Sequence, residues 1–378
     1  MDYKRLGDYI REVNVRNREL KVTNLLGVSI SKEFMPSIAN TIGTDMSTYK
    51  IVEQGQFAYG TVTSRNGEKV SIALLDGYDD AIISQAYTVF EVIDHEQLLP
   101  EYLMMWFRRP EFDRYARFHS HGSAREVFDW DELCDVILPI PSITRQREIV
   151  SEYETLTNRI HLNEQIIQKL EATAQALYLK MFVDGIDKEN LPEGWRLGML
   201  GEYVELSQGI QVEVEDQSLI RHEGYNRFIR IIDYTPNTTE PHRFVNISNE
   251  RYYCTRSDVV MIRYGDAGTV CRRLEGIIAN NLFKITPTKL LTRNYIYNYL
   301  KSESIQKLVK GSAASSTMPA ITHTAVKELE CIIPPCSVME EYDNNTNILE
   351  KEICIISDEN SKLNELQSLL LAKMGQCK

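Results

Sequence analysis

The stretch PSITRQREIVSEYETLTNRIHLNEQIIQKLEATAQALYLKMF, residues 141–182, decides the architecture of this chain. After Pro141 nothing in it breaks a helix, and its apolar positions step by threes and fours through Tyr153, Leu156, Ile160, Asn163, Ile167, Leu170, Ala174, Leu177 and Met181. That is the heptad seam of a helix made to lie along another helix, with one Asn set inside it. At about 1.5 Å per residue, such a helix is on the order of 60 Å long. A second stretch has the same character: beyond Pro335 a seam runs through Leu349, Ile353, Ile356, Asn360, Leu363 and Leu370. Proline is tolerated only around a first turn, so Pro141 and Pro335 fix where the two helices begin. Two such helices in one chain predict that they pair with each other, antiparallel, holding the parts they connect at opposite ends. An Asn in each seam would set the register.

Outward from the first helix, the chain is written twice. Leu6-Gly7-Asp8-Tyr9-Ile10 returns as Leu200-Gly201-Glu202-Tyr203-Val204, and Pro100-Glu101-Tyr102-Leu103 is answered by Arg293-Asn294-Tyr295-Ile296. His121-Gly122-Ser123 is matched with Lys310-Gly311-Ser312, and Val136-Ile137-Leu138-Pro139-Ile140-Pro141 with Cys331-Ile332-Ile333-Pro334-Pro335. β-Branched runs such as Ile82-Ile83 and Val259-Val260-Met261-Ile262 read as strands, whereas Tyr102 to Tyr115 and Asn294 to Val309 carry apolar residues at helical spacing. The expected fold class is therefore α+β: two mixed α/β domains, 1–141 and 185–336, separated by two long antiparallel coiled-coil helices, 142–184 and 337–378, with a pseudo-two-fold internal repeat.

A length of 378 residues suits two domains, and 43% hydrophobic with 25% charged residues suits a globular chain. No apolar run approaches the roughly 20 residues that cross a bilayer, and Met1-Asp2-Tyr3-Lys4-Arg5 lacks the apolar stretch of a signal peptide, so a cytoplasmic protein without membrane contact is expected. The seven cysteines show no metal-ligand spacing and read as reduced thiols, with no metal site. A net charge of -12 speaks against a nucleic-acid partner, because affinity for phosphates needs cations. Locally the balance reverses: Arg221 to Arg273 holds nine arginines against six acids, while acidic residues gather in Glu148 to Glu171 and Glu340 to Glu365.

Three stretches carry a resemblance that covers essentially the whole chain. They are Leu191-Pro192-Glu193-Gly194-Trp195 with Leu200-Gly201-Glu202, then Pro139-Ile140-Pro141-Ser142 with Arg145-Gln146-Arg147-Glu148-Ile149-Val150, and Asn163-Glu164 with Ala174-Gln175-Ala176-Leu177 and Phe182-Val183-Asp184. Their order and spacing resemble the specificity subunits of type I restriction-modification systems. Ser257 to Gly268, Ala279-Asn280-Asn281-Leu282 and Gly311-Ser312 add to it in the second domain. The first domain departs from the pattern, starting at Tyr3-Lys4-Arg5-Leu6-Gly7 without the Leu-Pro-x-Gly-Trp lead-in.

The resemblance implies two target-recognition domains, each reading half of an interrupted site in double-stranded DNA. It also implies helices that recruit two DNA methyltransferase (modification) subunits carrying S-adenosylmethionine, and a restriction/translocase subunit using ATP and Mg. No cofactor is expected in this chain itself. The residues agree: Ile333-Pro334-Pro335-Cys336 lacks the amide and the aromatic that hold a flipped base, and there is no Gly-x-x-x-x-Gly-Lys-Ser/Thr phosphate loop. A non-catalytic DNA-recognition subunit follows, and a coiled-coil scaffold joining proteins without reading DNA is the alternative.

Base edges in the major groove are read by Arg, Lys, Asn, Gln, Ser and Thr on short elements. In the second domain the candidates are Arg263, Tyr264 and Asp266 in the glycine turn, with Ser315, Ser316 and Thr317 after the helix. Arg272, Arg273 and Lys310 are expected to hold phosphates, which set register without reading sequence. In the first domain the corresponding candidates are Ser64, Arg65 and Asn66, with His119, His121, Ser123 and Arg125. Tyr102, Trp106, Phe107, Phe112, Tyr115 and Phe118 are spaced for core packing rather than for stacking on bases.

Overall fold

A computed structural model describes residues 3–37, 43–63, 69–122, 126–235, 238, 240–313 and 320–375. Contacts divide the chain into two compact units, Met1–Leu162 with Glu359–Lys378, and Asn163–Asp358. Each unit therefore combines one sheet-rich domain with a part of both long helices, Ile143–Phe182 and Cys336–Met374.

The first unit is built on an antiparallel sheet in the order Ile10–Val13, Tyr87–Val92, Phe57–Gly60, Ile72–Leu74. The second repeats it as Val204–Gln208, Leu282–Pro287, Val259–Ile262, Val270–Cys271. Beside the sheet, Tyr3–Arg5 pairs with Ile137–Pro139 in one unit and Arg196–Met199 with Glu330–Ile333 in the other. The 3-10 turns Leu6–Asp8 and Leu200–Glu202 sit against short helices so closely that a Cβ on Gly7 or Gly201 would lie 2.7 Å from Cys134 or Lys327. The matched tyrosines do the same work: Tyr102 donates its hydroxyl to the Pro139 carbonyl at 3.1 Å, and Tyr295 to that of Ile332 at 2.6 Å. Equal topology with equal ties is what duplication predicts, since a copied sequence buries a copied face.

Two expectations change. The apolar stretches Tyr102 to Tyr115 and Asn294 to Val309 each form two helices, Pro100–Phe107 with Pro110–Phe118, and Arg293–Lys301 with Glu303–Ala313. In the first, Pro110 has no amide proton for the preceding turn and starts a new helix. In the second, Ser302 turns extended while its hydroxyl donates to the Tyr299 carbonyl at 2.7 Å. The landmark pairing of His121-Gly122-Ser123 with Lys310-Gly311-Ser312 is out of register: Lys310 lies inside a helix, His121 beyond one in a bridge to Val127.

Within the first unit the long helices run antiparallel. Thr157 meets Gln367 at 2.7 Å, while Arg159 makes two bonds to Glu359 at 3.0 and 3.2 Å, so partner numbers fall as residue numbers rise. Within the second unit the Phe182 ring lies 5.0 Å from that of Tyr342, and Glu171 and Glu350 converge on Arg273. The seam positions Tyr153, Ala174, Ile353 and Ile356 are buried, as is Asn163, and the Asn360 amide points at the Ile160 carbonyl at 3.5 Å. Gln146, fully buried at the start of the first helix, ties it to its domain by accepting from the Leu99 amide and donating to the Gln97 and Pro141 carbonyls.

Candidate nucleic-acid interface

In the second unit, strand Val259–Ile262 is buried throughout and delivers the chain into the turn that holds Arg263, Tyr264 and Asp266. The Arg263 backbone is fixed on both sides, donating to the Asn281 carbonyl at 2.9 Å and accepting from the Ile321 amide at 3.0 Å. Its guanidinium lies 4.8 Å over the Tyr264 ring, a cation–π contact. The Asp266 carboxylate accepts from the Thr269 hydroxyl at 2.6 Å, so it braces the turn. At Gly268, with φ of +91°, a Cβ would lie 2.8 Å from Val309, and Gln306 donates to its carbonyl at 3.0 Å; helix Glu303–Ala313 thus presses on the turn. Lys310 on that helix is exposed and reaches the same turn, its Cγ 3.8 Å from that Cβ position. The structure therefore brings Arg263, Tyr264, Asp266 and Lys310 together. Ser315, Ser316 and Thr317 lie outside the described residues, in the segment leading to Ala320, which bridges to Tyr264.

Arg272 and Arg273 do not join them, contrary to the expectation of phosphate anchors. Arg272 is 8% exposed, paired with Glu350, hydrogen-bonded to Asn294 Oδ1 at 3.0 Å and stacked 3.8 Å over Tyr297. Arg273 is held by Glu350 at 2.8 and 3.0 Å and by Glu171, which also takes Lys301 at 3.2 Å. A guanidinium enclosed by carboxylates has no face left for a phosphate. The same holds more broadly for the basic stretch: Arg227 and Arg230 pair with Asp233, and Arg256 with Asp358. Much of its positive charge is consumed inside the fold.

In the first unit, Ser64, Arg65, Asn66, Ser123 and Arg125 lie outside the described residues. The residues flanking them converge: Val62 and His121 both bridge to Val127, and the Thr63 hydroxyl donates to Ser120 Oγ at 3.0 Å. His119 and His121 turn toward one carboxylate, Nδ1 at 3.0 Å and Nε2 at 3.4 Å from Glu132. His119 also stacks on Tyr115 at 4.2 Å. Among the described residues no set of three or more such side chains is arranged to hold a metal ion. The structural counterpart of Arg263 is Thr61 rather than Arg65, because the Thr61 carbonyl accepts from Phe128 at 2.9 Å as that of Arg263 does from Ile321. Of the aromatic set, Tyr102, Trp106, Phe107 and Phe112 are buried, but Phe118 is 81% exposed at the end of its helix.

Sequence reading missed Lys32 and Asp113. The Lys32 ammonium, buried against Phe112, donates to Asp113 at 2.7 Å and to the Phe107 carbonyl, and the same carboxylate accepts from the Val70 amide at 3.1 Å. Burial pushes this ammonium below the usual lysine range despite Asp113. No motif marks the pair, since its members lie 81 residues apart. Asp113→Asn keeps an acceptor for Val70 but removes the charge facing Lys32; a loss of about 1–3 kcal/mol in the urea unfolding of the first unit is expected.

The family model for the type I restriction modification DNA specificity domain matches residues 17–172 and 192–367. The chain belongs to this family. The two matched segments correspond to the duplication, one copy per sheet-rich domain with its helix. The chain is 25% identical over 186 residues to the type I restriction enzyme HindI specificity subunit of Haemophilus influenzae, a match spanning 47% of this chain and 40% of that relative. It is similar in fold to the crystal structure of the type I restriction-modification system S subunit from M. genitalium, with a TM-score of 0.56, 14% identity, and coverage of 99% of this chain and 96% of that one. Among the described residues no helix is long and apolar enough to cross a membrane.

Proposed function

We propose that this member of the specificity-domain family is the DNA sequence-specificity subunit of a type I restriction-modification complex and carries no catalytic group of its own. Each recognition domain reads one half of a bipartite site in the cytoplasm, and the long helices dock two methyltransferase subunits that bring S-adenosylmethionine. A restriction/translocase subunit with ATP and Mg joins them. The observation that supports this best is the repetition of one sheet topology in two units of a chain that matches the specificity family twice. Two copies of one grip, with Thr61 in one where the other has Arg263, suit a split target whose halves differ in sequence.

Arg263 is the residue on which we place base reading in the second domain; the remaining candidates support it or hold phosphates. Arg263→Ala should relax one half of the recognised motif by about 1–3 kcal/mol per base and leave the other half unchanged. Mapping methylated adenines across the genome of a host with and without the chain tests both statements. A split motif that appears only with the chain supports the reading. DNA-indifferent behaviour of the complex would instead support a protein scaffold.

A further inference from the structure

The duplicated scaffold places different side chains at two equivalent positions of the two domains. Where the first has Thr61 the second has Arg263, as the matching backbone bonds to Phe128 and Ile321 show. Where the first has Trp130 the second has His323: each opens the short helix after that bond, Trp130–Cys134 or His323–Lys327, capped by Asp129 or Thr322. Each also meets a phenylalanine on the same strand of its sheet, Trp130 with Phe90 at 5.6 Å and His323 with Phe283 at 4.8 Å, although the two rings stand at different registers, Phe90 aligning with Ile285 and Phe283 with Thr88. The copies therefore exchange an apolar ring for an imidazole in the copy that carries the arginine.

In the second unit these side chains leave polar atoms unmatched. Arg263 Nε, His323 Nε2 and the Asn281 side-chain oxygen are all buried without a hydrogen-bond partner among the described residues. Burial, then the positive charges of Arg263 and Lys327, pushes the His323 imidazole below its usual range, so it is neutral at pH 7. A neutral imidazole has both a donor and an acceptor nitrogen, which a bare indole ring lacks on its acceptor side. It is suited to steer a neighbouring guanidinium without repelling it.

We propose that His323 is a positioning residue for the second recognition domain: packed on Phe283 beside Arg263, it orients the arginine for a base edge and so helps define that half-site. The inference rests on the DNA-reading function proposed above. It does not make His323 a contact to DNA.

The test maps methylated adenines in cells carrying the intact system with His323→Phe, His323→Leu or His323→Gln. Phe preserves a ring against Phe283 and Leu an apolar filling, while Gln restores donor and acceptor. The expected result is about tenfold more methylation at sites altered in one half of the motif for Phe and Leu, with the wild-type motif retained by Gln. Melting of the purified chains should match the wild type. Wild-type selectivity in both halves for Phe and Leu would overturn the inference, as would equal relaxation by Gln, which would make His323 only a filler. A wild-type chain that yields no split motif would bring down the DNA-reading function and this inference with it, whereas a split motif untouched by Phe removes the inference alone.

Discussion

Glu350→Ala is expected to destabilise the second unit by about 3–5 kcal/mol, measured as a shift in the urea midpoint of the full chain. Glu350 is the shared partner of Arg272 and Arg273, both buried or nearly so. Truncating it leaves two guanidinium groups enclosed in the fold, of which Arg273 alone, among the described residues, is ion-paired to Glu171. The lost attraction is the smaller part of the cost; the larger is a buried cation that has already given up its water. Glu171→Gln should cost less, because Arg273 keeps Glu350. Burial alone would raise the Glu171 carboxyl, but Arg273 and Lys301 outweigh it and hold the group below the usual range. A carboxyl depressed in the folded state stabilises above its unfolded value of about 4.3, and that stability is lost as pH falls through the folded value. The second unit should therefore weaken on acidification below about pH 4, and Glu171→Gln should flatten that part of the profile. A Glu350→Ala chain as stable as the wild type would show that these arginines are solvated.

Ending the chain at Leu370 should cost the first unit roughly 4–8 kcal/mol, although the residues removed lie at the far end of the sequence from its strands. Leu371 and Met374 are buried in the same apolar cluster as Phe57, Phe90, Tyr102 and Phe107, and the Tyr3 hydroxyl donates to the Gly375 carbonyl at 3.0 Å. Removing two large buried side chains costs about 2–5 kcal/mol each, because the surrounding core collapses only partly. Hydrogen exchange locates the damage. Amides of Phe57–Gly60 and Tyr87–Val92 should lose protection, while those of Val259–Ile262, in the other unit, should keep theirs. Deletion of these residues with no change in either set would refute the assignment of the C-terminal turns to the first core. The exposed Ile348, truncated to alanine, is the control that should change little.

Both expectations rest on contacts that no local reading supplies, and they mark the boundary of what the residues disclose. The long helices were legible because a heptad seam is periodic and local: Tyr153, Ala174, Ile353 and Ile356 announce their burial by spacing. The duplication was legible because equal turns need equal residues, as Gly7 and Gly201 need theirs against Cys134 and Lys327. The glycine turn around Arg263 was legible for a different reason, the resemblance of Ser257 to Gly268 to the family, since the two copies diverge there. The helix break at Pro110 was written in the sequence and read past; the one at Ser302 was not written, since a serine ends a helix only where its surroundings favour the bend.

By itself, then, the sequence determined the two-fold repeat, the strand and helix types and the paired rods, because periodicity and turn chemistry act over a few residues. Tertiary structure alone decided what each charge does. Arg272 and Arg273 look like any exposed cations until Glu350 and Glu171, 77 and 102 residues from Arg273, enclose them, and Lys32 is unremarkable until Asp113 arrives from 81 residues away. A charge's role follows from its solvent and its partners, and both are set only when the chain has closed on itself.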